Sequence, residues 1–478
     1  MNSNIKLLYP TLDIYLYDLG EGLGEKPEKV QENRKQFWQR IYQRELNQEE
    51  LENYAKLEQE QSNYIELLGK QRIEKFKYPL DGYYYPVKLG DTYGLQLDCS
   101  GKKNWLHNPQ NVGVFTEIKE ILLEHRGEAG QLGESWLMWG QLTKRIPEQE
   151  LEQIARDCLK QINIEPYPNW NSPTENKDNK GLFKKTNFKN QGTFKDATLF
   201  ELWQPPPSNQ HILVILFPEF QKYEYVVATI EPLYKQLIQL FYYRNKIIWI
   251  YQKTREIKEK LKDDATEIQE IVDHLPQQIK DSPLNLQKLQ ENLTEALKKY
   301  SLYGANLRYL QEHRYAIEVN AENYKIRLAR MKELDPNCDL EFLRDFQDYT
   351  FEKYLPQVIN DYNSLSAGLQ LLDHASKTLE GIIQLEQAKR DRNLNKTIFA
   401  VSAGIGTASA SASSMANFAE RIITQGHPPQ KPASVSHLWA SYSLAFFLSL
   451  GVGLVFTLGT GAILQLPWKQ WLARLRGQ

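Results

Sequence analysis

Three observations predict an α+β N-terminal domain, a long helical and coiled-coil-like stalk, and two C-terminal transmembrane helices. Residues 1–228 alternate strand-like runs with charge-rich helical stretches. Residues 229–395 carry apolar positions at helical and heptad spacing. Residues 396–478 contain two uncharged stretches, 397–419 and 438–466, each long enough to cross a bilayer core of about 20 helical residues. These three blocks are the expected domains.

In the first block, strand-like runs fall at 5–19, 82–98, 198–203 and 211–217. The run GYYYPVKLGDTYGLQLD at 82–98 predicts a hairpin that turns at 89–91, where Gly and Asp interrupt the alternating pattern. Helical stretches are expected at 27–75 and 148–162. The segment 166–192, rich in Asn, Lys and Pro, reads as an exposed loop.

In the second block, a helix is expected over 230–275, ended by Pro276. Over 284–331 two seams repeat every seven residues. One holds Leu286, Leu293, Tyr300, Leu307, Arg314, Ala321 and Leu328; the other holds Leu289, Ala296, Tyr303, Leu310, Ile317, Tyr324 and Met331. Only Arg314 departs from an apolar or aromatic type, so coiled-coil-like packing is expected, within one chain or between chains. A further helix is expected over 340–387, with Leu365, Leu369, Leu372, Leu379 and Ile383 on one face. Pro356 should kink it, because proline removes a backbone donor and clashes with the preceding turn.

In the third block, 438–466 has no charge in 29 residues and is flanked by Trp439, Tyr442, Trp468 and Trp471 as membrane-interface anchors. The stretch 397–419 is built mostly of small residues. Ser402, Gly406, Ser409, Ser413 and Asn417 fall on one helical face, which would either line a pore or permit close helix packing. Basic residues precede the first stretch (Lys389, Arg390, Arg392, Lys396) and follow the second (Lys469, Arg474, Arg476), so an integral membrane protein is expected, with two spans and both termini cytoplasmic.

Composition excludes some functions and leaves others open. With 58 basic against 60 acidic residues, no basic footprint for nucleic acid is present. Cys99, Cys158 and Cys338 are too few and too scattered for a disulfide framework. The eight histidines show no pair at metal-ligand spacing. Gly20, Gly22 and Gly24 follow a strand-like run, but Glu25 stands where a phosphate loop needs glycine, so a plain turn is expected. Two acidic groups, Asp335–Asp339–Glu341 and Asp263–Asp264–Glu267, read as solvated helix ends or weak cation sites. No catalytic residues can be assigned and no cofactor is implied, so an enzyme is not expected.

The order of parts resembles the CorA-type magnesium transporters, homopentamers whose first membrane helix lines an axial pore. Their Gly-Met-Asn signature has its counterpart at Ser414-Met415-Ala416-Asn417-Phe418, which keeps Met, Asn and Phe but inserts Ala and lacks Gly. The resemblance implies a homo-oligomer carrying Mg2+ or another divalent cation, with Asn417 at the pore mouth. The alternative expectation is a non-transporting, membrane-anchored coiled-coil scaffold, or a sensor or effector switched by a partner or small ligand at the N-terminal domain.

Overall fold

The computed structural model describes residues 5–22, 25–58, 62–105, 107–162, 191–203, 211–280 and 286–390. Among them, ten strands form one sheet: β1 (Lys6–Leu19), β2 (Ile65–Glu66), β3 (Glu74–Lys75), β4 (Leu80–Leu89), β5 (Thr92–Lys102), β6 (Gln110–Asn111), β7 (Gly133–Leu142), β8 (Gln191–Phe194), β9 (Ala197–Trp203) and β10 (His211–Phe217). The main order is β2-β4-β5-β1-β7-β10-β9-β8, with β3 beside β4 and β6 beside β1. All pairs are antiparallel except β7 with β10, which run parallel.

The expected hairpin forms β4 and β5, with Leu89 paired to Thr92 across a two-residue turn of Gly90 and Asp91. Gly90 sits at φ +60°, where a side chain would be strained and glycine is not.

Every central strand alternates, and its two faces differ in chemistry. Leu12, Ile14 and Leu16 of β1, Leu95 and Leu97 of β5, and Ile212 and Val214 of β10 point to one side. There they pack against α1 (Pro27–Tyr42), α3 (Val114–Arg126) and α4 (Glu148–Ile162) through Phe37, Phe115, Ile118 and Ile154. This is an ordinary apolar core. A short helix, α2 (Gln48–Leu57), begins at Asn47 with a reciprocal capping box to Glu50. The opposite face carries Asp13, Gln96, Asp98, Ser135, Glu201 and His211, and it is covered by α5 (Tyr223–Lys280).

Helices therefore cover both faces of a mixed sheet. The expected α+β class, with strands and helices segregated, is corrected to α/β. The reason lies in the chain order: α4 intervenes between the parallel strands β7 and β10, and α5 follows directly on β10. The membrane part of the expected architecture is also corrected. No helix among the described residues is long and apolar enough to cross a membrane. The long helices α5, of 58 residues, and α6 (Leu286–Leu334), of 49, carry charges along their length and cannot supply some 20 consecutive apolar residues. The expected integral-membrane location with two spans thus finds no support among the described residues. Residues 397–419 and 438–466 lie outside the described residues.

The chain divides into two compact units, Met1–Leu261 with Ala305–Leu365, and Lys262–Gly304 with Ser366–Gln478. In the first, α6 buries Leu310, Ile317, Tyr324 and Met331 of the second heptad seam, while Arg314 is half-buried and paired with Glu318 at 3.0 Å. The Tyr324 hydroxyl donates to the Leu343 carbonyl at 2.9 Å. After α6 come α7 (Arg344–Tyr349), one π-helical turn (Thr350–Tyr354) and α8 (Leu355–Arg390). Pro356 follows this π-turn after Leu355, in a backbone that stays in the right-handed helical region from α7 into α8, so the regular hydrogen-bond ladder is interrupted where the proline stands. Asp361 of α8 holds Lys258 of α5 at 2.9 Å and also pairs with Arg255. In the second unit, Lys299 bridges Asp264 at 3.6 Å and Glu267 at 2.6 Å.

Leu97 is fully buried between β5 and the helices of the apolar face. Leu97→Ala is expected to cost about 2–5 kcal/mol in urea unfolding, by lost transfer energy and a cavity. A loss below about 1 kcal/mol would contradict this placement of the core.

Candidate active or ligand site on the polar sheet face

Strand register assembles the site. Asp13 of β1 lies directly opposite Asp98 of β5, and Asp98 lies opposite Tyr83 of β4. One row along, Tyr85, Gln96, Tyr15 and Ser135 stand opposite one another across β4, β5, β1 and β7. Two rows of hydrogen-bonding side chains thus face α5. Asp13 is fully buried and Asp98 is 8% exposed.

One hydroxyl organises the lower row. Tyr234 of α5 lies with its Oη 3.1 Å from Asp13 Oδ2 and 3.0 Å from Asp98 Oδ2. The same oxygen accepts the indole N–H of Trp139 at 2.7 Å. Gln96 donates to the other Asp13 oxygen at 2.8 Å, and Tyr83 also bonds Asp98. Tyr234 has a single proton to donate, so it cannot serve two carboxylates at once. The two carboxyls face each other across paired strands and share this one hydroxyl.

Electrostatics agrees. Burial raises Asp13 well above the usual carboxylate range, and the neighbouring Asp98 raises it further; burial lifts Asp98 to about 7. Like charges this close in a site screened from water cannot both ionise near neutrality, so the pair holds one proton and one negative charge. Burial and the same two carboxyls push the Tyr234 phenol up, which keeps it a donor.

Asp98, Gln96 and Tyr234 lie among the residues that line a cleft of about 510 Å³, with Asp13 directly behind Asp98. Tyr83 and Trp139 line its sheet side, and Tyr223, Val227, Ile230 and Glu231 line its α5 side. The size falls within the range of small-molecule sites, and aromatic walls with a few convergent polar groups suit one. A second cleft of about 620 Å³ lies beside α1 and the end of α3. Its arginines are already committed, Arg40 to Asp18 and Arg126 to Glu134 with two bonds of 2.9 Å.

Farther along the polar face, His211 links Ser135, at 2.9 Å from Nδ1, to Glu201, at 3.0 Å from Nε2. Asn245 of α5 donates to the same serine oxygen at 2.9 Å. Burial lowers the His211 imidazole and raises Glu201 to about 8. The three residues have the types of a nucleophile relay, but each is at most 2% exposed and none lines either cleft. In this position they bind the sheet to α5.

The expected pore-lining residues Ser402, Gly406, Ser409, Ser413 and Asn417, and the anchors Trp439, Tyr442, Trp468 and Trp471, lie outside the described residues. At the glycine-rich turn, the N–H groups of Gly20 and Glu21 both donate to the Asp91 carbonyl, at 2.8 and 2.9 Å, so they are not offered to a phosphate. Among the described residues no group of three acidic, His or Cys side chains could hold a metal ion. Asp335 and Asp339 instead accept nearby backbone N–H groups, and Glu341 pairs with Lys332 and Arg344. Cys99 and Cys158 are buried, and all three thiols are free.

Asp13, Asp98 and Tyr234 were not singled out from sequence. A signal existed: Asp13 interrupts an apolar strand run, and Asp98 sits in an alternating hairpin strand opposite a run of tyrosines. No family model, no curated protein and no solved structure matches the chain.

The site makes stability depend on pH in a defined direction. The folded pair keeps a proton that an unfolded aspartate releases near pH 4, so this contribution is present below that value and is lost as pH rises through about 7. Denaturant titrations should show wild type losing stability between pH 5 and pH 8, by no more than about 1.4 kcal/mol per pH unit from this source. Asp98→Asn should flatten that slope; an unchanged slope would contradict the shared proton. Tyr234→Phe should cost about 1–3 kcal/mol, because the buried Trp139 N–H and the carboxyls lose their common partner.

Proposed function

We propose that the chain is a ligand-responsive module in which a small molecule in the carboxyl-lined cleft is read out by helix α5. One observation carries this reading: the same helix that walls the cleft with Tyr223, Val227 and Glu231 also supplies Tyr234, which faces both carboxyls of the pair. An occupant that touches the wall or changes the charge of the pair alters the interactions holding α5 to the sheet. The helix runs on to Lys280, 58 residues in all, or about 87 Å at the standard rise. A change at its first turns therefore acts on a helix that continues well beyond the cleft. A ligand shifts such an equilibrium only by its differential affinity for the two arrangements, which the shared proton and the Tyr234 bond make possible.

The test uses the full chain and a panel of small cations, anions and neutral polar molecules. At least one compound should raise the melting temperature of wild type and slow amide exchange over 223–242. Val227→Trp, which fills the cleft from the helix side, should abolish both effects. If no compound does either in wild type, or if the effects persist in Val227→Trp, the cleft is not a receptor site.

A further inference from the structure

We infer that the cleft takes a small aliphatic amine with two or more protonated nitrogens; this rests on the receptor reading above. The concavity itself, not its charge, marks the site, and its side chains specify the class. Asp81, Asp98 and Glu231 line it from β4, β5 and α5. Glu231 is exposed and Asp81 partly so, and neither is in an ion pair among the described residues.

Four cations line the same cleft, Arg72, Lys75, Lys103 and Lys235, and two of them are committed elsewhere. Arg72 and Lys235 both pair with Glu66, at 3.1 and 3.3 Å. Lys103 lies over the ring of Tyr78, 5.7 Å from its centre. An anionic ligand would meet three carboxyls, with Lys75 and Lys103 as the cleft cations that make no ion pair among the described residues. A protonated amine finds acceptors on three sides, and charged N–H···O bonds are about twice as strong as neutral ones.

The aromatic surfaces fit the remainder of such a molecule. Phe76, Tyr83, Trp139 and Tyr223 line the same cleft as the carboxyls. Rings of this kind attract a cation held over them and shelter the methylenes that separate two nitrogens. Carboxyls contributed by three different elements favour a ligand with more than one charge. A monoamine would leave part of the acidic lining unpaired.

The shared proton adds a readout. Groups facing Asp98 are Asp13 from β1, Asp81 and Tyr83 from β4, and Tyr223 and Tyr234 from α5. The tyrosines stay neutral near pH 7, and the carboxyl pair titrates there. A bound cation favours the doubly ionised pair, and binding should therefore release protons.

The experiment is calorimetric titration of the full chain with putrescine and spermidine, with glutarate and glycerol as anionic and neutral controls. The amines should bind, with proton release that depends on buffer ionisation and weakens in Asp98→Asn. Glu231→Gln, an exposed helix position, should lower affinity about 10-fold or more, the loss of one charge-assisted bond. Melting curves confirm that each variant folds. Binding of glutarate or glycerol but of neither amine would overturn the amine assignment and leave the receptor reading standing. Binding of no compound here, together with a blank cleft panel, would remove both. Amine binding unchanged in Glu231→Gln and Asp98→Asn would place the amines elsewhere and also overturn the assignment.

Discussion

A single phenolic proton sets the arrangement of the sheet's polar face. The Tyr234 oxygen accepts from Trp139 and faces both Asp13 and Asp98, so three strands and one helix meet at one atom. Two buried carboxylates with one donor between them would be unstable, since an unpaired buried charge costs several kcal/mol. One carboxyl must keep its proton, and the helix must keep its place to supply the other bond. The position of α5 on the sheet, the shape of the cleft beside it and the charge of its lining are thereby linked.

The two sides of the sheet do different work for a physical reason. Apolar packing on the α1, α3 and α4 side is non-directional and tolerates small shifts in register or angle. The polar side is directional. The Asp13–Asp98–Tyr234 group and the Asn245 bond to Ser135 are made only with α5 in one position. Buried polar networks of this kind specify a unique arrangement when complete and are costly when broken. That property suits a surface whose state is to be sensed.

Much of the fold could be read from the chain and little of the site. The hairpin was legible because Gly90 and Asp91 interrupt a period-2 pattern, and turn residues act locally. The seam from Leu310 to Met331 was legible because apolar residues every seven positions need a partner surface, and the chain supplies one. The layering was not, because the parallel pairing of β7 with β10 depends on where α4 lies, which local pattern does not encode. The site was illegible for a related reason. Asp13 and Asp98 are 85 positions apart and meet only through register, and Tyr234 reaches them from a helix whose sequence reads as plain amphipathic. Pro356 was legible as a disturbance of its helix because proline removes a backbone donor, and a π-turn precedes it.

The shared proton is the feature on which the cleft, the helix and the ligand class all depend. Infrared difference spectroscopy near pH 7, wild type minus Asp13→Asn/Asp98→Asn, addresses it directly, and any protonated Glu201 cancels in the subtraction. A protonated-carboxyl carbonyl band present in wild type and absent from the double variant is the expected result. A difference spectrum with carboxylate bands alone would mean that both groups are ionised, and would contradict the shared proton.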